Sequence, residues 1–138
     1  MNGKLEVSLD SDGCRGSTYS RVNYLEHVQA VVTLTASRRG EVEIFLTSPQ
    51  GTRSTLLARR ARDTSPDGFT GWAFMTTHCW SENAVGTWKL EVRNGDSVCK
   101  SKSSCYRFRF IVRVYCEHFE NICSVFKESA LNKLLEYP

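Results

Sequence analysis

Gly86-Thr87-Trp88-Lys89-Leu90-Glu91-Val92-Arg93-Asn94 alternates apolar and polar residues without a break from Trp88 to Arg93. In an extended chain Trp88, Leu90 and Val92 fall on one side and Lys89, Glu91 and Arg93 on the other. That is the pattern of a β-strand with one face in a core. Trp88 and Leu90 are therefore predicted core residues. The same period of two recurs at Leu5, Val7 and Leu9, and at Val28, Ala30, Val32 and Leu34. It returns at Val42, Ile44 and Leu46, and again at Phe108, Phe110, Val112 and Val114.

Turn chemistry separates these runs. Ser48-Pro49-Gln50-Gly51 places Pro second and Gly fourth, as does Ser65-Pro66-Asp67-Gly68. Asn94-Gly95 tolerates positive φ at both positions and reads as a hairpin turn. Arg38-Arg39-Gly40 divides two strand runs. Short strands with turns between them predict an all-β fold, an antiparallel jelly-roll-like β-sandwich. The end of the chain differs. From Asn121 onward, Ile122, Val125, Phe126, Ala130, Leu134 and Leu135 recur at spacings that fit an amphipathic helix over 121–138, with Asn121 as its N-cap.

The chain has 138 residues, enough for one domain with its own core. Charged residues are 24% and hydrophobic residues 41%, a globular balance. A net charge of +3 does not argue for nucleic acid. The apolar runs are far shorter than the ~20 residues of a membrane-spanning helix. The first six residues run into an alternating stretch rather than an apolar leader, so no signal peptide is expected.

Catalytic signatures are missing from the sequence. There is no G-x-S-x-G elbow, no phosphate-binding glycine loop and no H-E-x-x-H pair. His27, His78 and His118 stand apart from any nucleophile motif, and His27 and His78 read as structural or surface histidines. Cys99, Cys105, Cys116, His118 and Cys123 cluster, but no pair has the short spacing of zinc ligands. No metal or cofactor is expected in this chain. Arg38-Arg39 and Arg59-Arg60-x-Arg62 read as solvated sheet ends. Phe69 and Trp72 lie beside glycines and read as a loop able to present a contact surface.

A longer series of residues carries more. Tyr24-Leu25-Glu26-His27-Val28-Gln29 is followed by Ser37-Arg38-Arg39-Gly40 and by Leu46-Thr47-Ser48-Pro49-x-Gly51-Thr52-Arg53-Ser54-Thr55-Leu56-Leu57. Next come Asp67-Gly68-Phe69-x-x-Trp72-x-Phe74-Met75-Thr76-Thr77-His78-x-Trp80-x-Glu82-Asn83 and Gly86-Thr87-Trp88-x-Leu90. This series resembles the P domain, or Homo B domain, of the subtilisin/kexin-like proprotein convertases, with the neuroendocrine members most similar. The resemblance runs from about Gly3 to Asn94.

The resemblance implies a module of a calcium-dependent serine endopeptidase of the secretory pathway, one that processes precursors at paired basic residues. It implies a partner in cis, a subtilisin-like catalytic domain that holds the calcium and that the P domain stabilises. None of the subtilisin-like motifs occurs here, so the chain is expected to be non-catalytic alone. Arg38, Arg39, Gly40, Glu41, Phe69, Trp72, Phe74, His78 and Trp80 are the candidate domain-contact residues. A stand-alone β-sandwich binding module is the alternative reading, as is a non-cutting isoform that binds a convertase or a precursor.

The resemblance also divides the chain. Residues 1–94 correspond to a P-domain sandwich whose beginning is expected to be truncated. Residues 95–120 diverge, with a final strand expected at 106–115, and 121–138 form the predicted helix. Glu41 stands where the family usually has Asp. Cys79 replaces another small or polar residue. Cys14 matches a family cysteine whose partner lies upstream, so it is expected to lack its mate.

Overall fold

A computed structural model of the chain describes residues 3–16, 21–95, 110–118 and 121–129, with side chains described over 4–16 and 21–95. Eight strands run through the described residues: β1 Gly3–Ser11, β2 His27–Leu34, β3 Val42–Thr47, β4 Arg53–Leu57, β5 Phe69–Thr76, β6 Gly86–Asn94, β7 Phe110–His118 and β8 Asn121–Ser129. They form two antiparallel four-stranded sheets, in the orders β1-β6-β3-β4 and β5-β2-β7-β8. Among the described residues the only helical turn is a 3-10 turn at Arg39–Glu41.

The alternating apolar residues explain the sandwich. In the first sheet Val7 opposes Leu90, and Leu90 opposes Leu46 on the other edge of β6. Leu5, Val92 and Ile44 line up one step along, and Leu9 pairs with Trp88. In the second sheet Val28, Ala30, Val32 and Leu34 turn inward from β2. All of these residues are buried in a single core with Phe69. Hydrophobic burial holds the two inner faces together at the spacing of packed sheets.

Two turns are built as their residues dictate. The Gly51 N–H donates to the Ser48 C=O at 2.9 Å, closing the β3–β4 hairpin around Pro49. Gly68 has φ +65, and a Cβ there would overlap the Leu34 carbonyl oxygen, so no other residue fits the entry to β5.

Four expectations are corrected. Asn121–Ser129 is strand β8, paired residue for residue with β7 from Phe110↔Ser129 to His118↔Asn121, and not helix. Ile122, Val125 and Phe126 are good strand formers, and the edge of β7 offers a ladder that an isolated helix lacks; residues 130–138 of that expected helix lie outside the described residues. Asn94-Gly95 is not a hairpin turn. Asn94 is still in the ladder, opposite both Gly3 and Val42, and the next described strand belongs to the other sheet. The expected loop at Phe69 is strand β5, kinked where its register with β2 shifts between Val32 and Leu34. Gly71, at φ +61, absorbs the kink. Cys14 is disulfide-bonded rather than unpaired. The strand expected at 106–115 is observed as Phe110–His118; residues 106–109 lie outside the described residues.

Trp88 is 1% exposed on the central strand of its sheet. Trp88→Ala is expected to lower folding stability by about 3–5 kcal/mol. Lys89→Ala, one residue away on the exposed face, should change it by less than about 0.5 kcal/mol. Paired urea unfolding curves check both.

Candidate docking surface

Strand β5 and the 3-10 turn meet at one end of the sandwich. The turn is stapled to the loop that follows β4. Gly40 N–H donates to the Asp63 C=O at 3.0 Å, and Arg60 N–H donates to the Gly40 C=O at 2.8 Å. Arg39 N–H reaches the Ser65 C=O at 2.8 Å. A Cβ at position 40 would overlap the carbonyl oxygens of both Arg60 and Asp63. The close approach of the two backbones therefore requires glycine there.

Side chains complete the junction. Arg39 grips the Asp63 carboxylate with two hydrogen bonds, of 2.8 and 3.1 Å. That bond holds Asp63 below the usual carboxylate range and raises Arg39, each favouring the charged form of the other. The Arg39 guanidinium stands 5.9 Å from the Phe69 ring centre and 5.3 Å from that of Trp72. Arg60 faces Phe69 from 5.6 Å. Phe69 meets Trp72 edge to face at 4.9 Å and Phe74 at 5.6 Å. Cations over ring faces and edge-to-face rings both fix orientation beyond simple burial.

Arg38, Arg39, Gly40, Phe69, Trp72 and Phe74 are thus brought to one place. Arg38 donates to the Ala61 C=O at 2.8 Å, and the Glu41 carboxylate lies 3.9 Å from Arg38. Phe69 is buried and Phe74 half-buried, so Trp72 is the member that faces outward.

His78 and Trp80 lie beyond the other end of β5, in the turn before β6. Both are exposed. Ser81 N–H donates to the Leu25 C=O at 2.7 Å and Leu25 N–H to the Glu82 C=O at 2.8 Å, so Tyr24 and Trp80 flank one seam. Tyr24, Met75, Trp72 and Trp80 are 64, 58, 43 and 59% exposed. Tyr24 and Met75 were not singled out in the sequence, although both lie inside the motif series. Met75 alternates with the inward-facing Phe74 and Thr76, which is the signal that could have found it.

Cys79 is buried beneath this turn as a free thiol. Burial pushes it up to about 11, with the Glu82 carboxylate adding to the rise and hydrogen bonds to Ser48 and Ser54 opposing it. Thiolate chemistry is therefore suppressed there at neutral pH. Thr76 hydrogen-bonds Ser54 at 3.0 Å, and Thr52 donates to Glu82. Trp88 and Leu90 are in the core. Among the described residues no three His, Cys, Asp or Glu side chains converge as metal ligands would. The Cys99, Cys105, Cys116, His118 and Cys123 side chains lie outside the described residues.

A charged network covers the outer face of the first sheet. Glu91 is 5% exposed although it faces away from the core. Arg53 donates to it at 3.1 and 3.4 Å, Arg93 donates to it, and Lys4 stands 3.4 Å away. Arg53 and Arg93 also bracket the Phe45 ring, at 4.2 and 5.2 Å from its centre. The Arg53 hydrogen bonds, then Arg93 and Lys4, hold Glu91 down at about 2 against the upward push of burial. Because the folded value lies below the ordinary one, the stabilisation is complete above about pH 5 and is lost as pH falls toward 2. Wild-type stability is expected to drop by up to about 3 kcal/mol across that window through Glu91. Glu91→Gln should cost about 1–3 kcal/mol at pH 7 and flatten the acid slope. Urea titrations at pH 7, 5, 4 and 3 decide it; an unchanged slope in the variant would exclude Glu91 as the source.

The family described as the proprotein convertase P-domain matches residues 25–110. Neuroendocrine convertase 2 of Drosophila melanogaster is 57% identical over 94 residues, which cover 67% of this chain and 14% of that protein. Neuroendocrine convertase 2 of Homo sapiens is 56% identical over 91 residues, covering 65% and 14%. Proprotein convertase subtilisin/kexin type 5 of Rattus norvegicus is 55% identical over 91 residues, covering 66% and 5%. The chain spans 14% of the length of the neuroendocrine convertases it matches. A family match across both sheets, with the arginine turn and the β5 aromatics inside the matched span, places this chain in the proprotein convertase P-domain family.

Proposed function

We propose that the chain serves as the docking and stabilising module of a subtilisin-like serine endopeptidase, the catalytic part of a convertase that processes precursor proteins at paired basic residues. The observation that carries this reading is the exposure of Trp72 over the Phe69 and Phe74 rings and the Arg39 guanidinium, at one end of edge strand β5. Met75 on the opposite face of β5, with Trp80 and Tyr24 in the segments beyond its end, adds further exposed apolar surface, and such surface favours a neighbour that covers it. An adjoining domain is the economical cover. Arg39 and Arg60 hold Phe69 and Trp72 from behind, so the face is rigid before it docks.

In this reading the P domain contributes no reacting group. It supplies binding energy that keeps the catalytic domain folded, and that domain holds the calcium. The site of action is the secretory pathway, which the Cys14 disulfide also favours, since such bonds persist in oxidising compartments.

The test replaces the P domain of Drosophila melanogaster neuroendocrine convertase 2 with this chain. Active enzyme should be recovered with the wild-type sequence. Trp72→Ala with Trp80→Ala should cut the recovered activity at least about tenfold, equivalent to about 1.4 kcal/mol of docking. The double variant should still melt cooperatively as an isolated chain, since neither residue belongs to the buried core. Full activity in the double variant would overturn the assignment of this face.

A further inference from the structure

The loop between β4 and β5 contains Arg59-Arg60-Ala61-Arg62-Asp63. Its arginines are not equivalent. Arg59 pairs with Glu43 at 3.6 Å. Arg60 lies against Phe69, donates to the Arg39 C=O at 3.0 Å and stands 3.2 Å from Asp63. Arg62 is exposed and has no hydrogen bond or ion pair among the described residues. Its backbone is nevertheless closed. Asp63 N–H donates to the Arg60 C=O at 2.9 Å, making a tight turn, and both ends of that turn are bonded to Gly40.

We propose that residues 59–63 are a latent proteolytic site for an arginine-specific serine endopeptidase, with the Arg62–Asp63 bond as the one cut, and that the Gly40–Asp63 staple keeps it shut. An endopeptidase reads its substrate as an extended strand, and an exposed loop is where nicking concentrates. The Arg62 side chain is already free to enter a specificity pocket. Only the backbone of the turn is in the wrong conformation. Opening it breaks the Asp63–Arg60 and Asp63–Gly40 bonds and lets Asp63 leave Arg39. It also returns to water the Nε donors of Arg38 and Arg60, which are buried without partners in the closed form. Local opening is thereby easier than the staple alone would make it.

The chemistry is peptide hydrolysis. The endopeptidase serine takes the Arg62 acyl group as the Asp63 amine leaves, and water then releases Arg62 as a carboxylate. No cofactor is consumed. The nicked halves stay together, because β6 of the second lies between β1 and β3 of the first, and β2 of the first between β5 and β7 of the second. What changes is the support under Phe69 and Trp72, since Arg60 and Asp63 are no longer joined through Arg62. That consequence rests on the docking role above; the cut itself does not.

The test digests the 138-residue chain with trypsin under native conditions and follows intact mass. Within residues 25–95 the first cut is expected after Arg62. The nicked protein should elute at the size of the intact one. Arg39→Gln leaves the scissile sequence unchanged and should speed that cut about tenfold or more, since cleavage follows the open population. Arg62 has no partner among the described residues, so Arg62→Gln should fold normally and lose the cut. A first cut after Arg38, Arg39, Arg53, Lys89 or Arg93 would overturn the proposal. So would an early cut elsewhere in the loop that persists in Arg62→Gln, or an unchanged rate in a folded Arg39→Gln. Arg39→Gln simply unfolding would show as simultaneous cutting at all basic residues, and the Arg62→Gln result then decides alone. The digestion contains no convertase catalytic domain, so its outcome is independent of whether the docking face is correctly assigned.

Discussion

Strand β6 is paired on both edges, with one face buried in the core and Glu91 buried on the other. Its inner side carries Trp88, Leu90 and Val92 into the core, and its outer side carries Glu91 under three cations. A slip of one residue against β1 or β3 would put Glu91 into the core and Leu90 under the arginines. Both errors are expensive, since an uncompensated buried carboxylate costs several kcal/mol. The register of the whole sheet is thus specified twice, once by hydrophobic burial and once by charge. The charged outer face does not compete with the core. It selects the same pairing by a different force.

The second sheet lacks that double specification, and its edge strand is where the molecule departs from regularity. Strand β5 is kinked at Gly71, and its ring cluster is propped by arginines from a turn in another part of the chain. The prop works because Gly40 lets two loops touch backbone to backbone. Sequence neighbours at 38–41 and 60–63 thereby become a single rigid support. Arg39 serves both Asp63 and Trp72, so the ion pair and the aromatic face are mechanically one unit.

Much of the fold was legible because a strand with one buried face must alternate. Val28 to Leu34 and Trp88 to Val92 did so plainly. Arg53–Leu57 did not, since β4 is an edge strand with a single fully buried residue, Ser54, and so shows no apolar alternation. The β5 pattern was interrupted by its own bulge, which made a strand read as a loop. Asn94 kept its ladder partners although Asn-Gly favours a turn, because a central strand offers bonds on both sides. At Asn121–Ser129 the helical spacing lost to pairing along β7, a partner that the local pattern cannot contain. The arginine turn was visible as a motif, but its partner Asp63 was not, for they are joined only by the fold. The burial of Glu91 was not legible in its own strand, because Lys4 and Arg53 reach it from β1 and β4.

The exposed face of β5 gives these pieces a common direction. An edge strand with free backbone groups and large apolar side chains is an invitation to unwanted pairing, and natural proteins blunt such edges. Here the blunting is partial. The Gly71 kink and the Arg39 side chain protect the end near Trp72, while Met75 and Trp80 stay open toward the far end. Met75 lies on the outer face of the second sheet and Trp80 in the turn beyond β5, so the support built from 38–41 and 60–63 reaches only the Trp72 end of the strand.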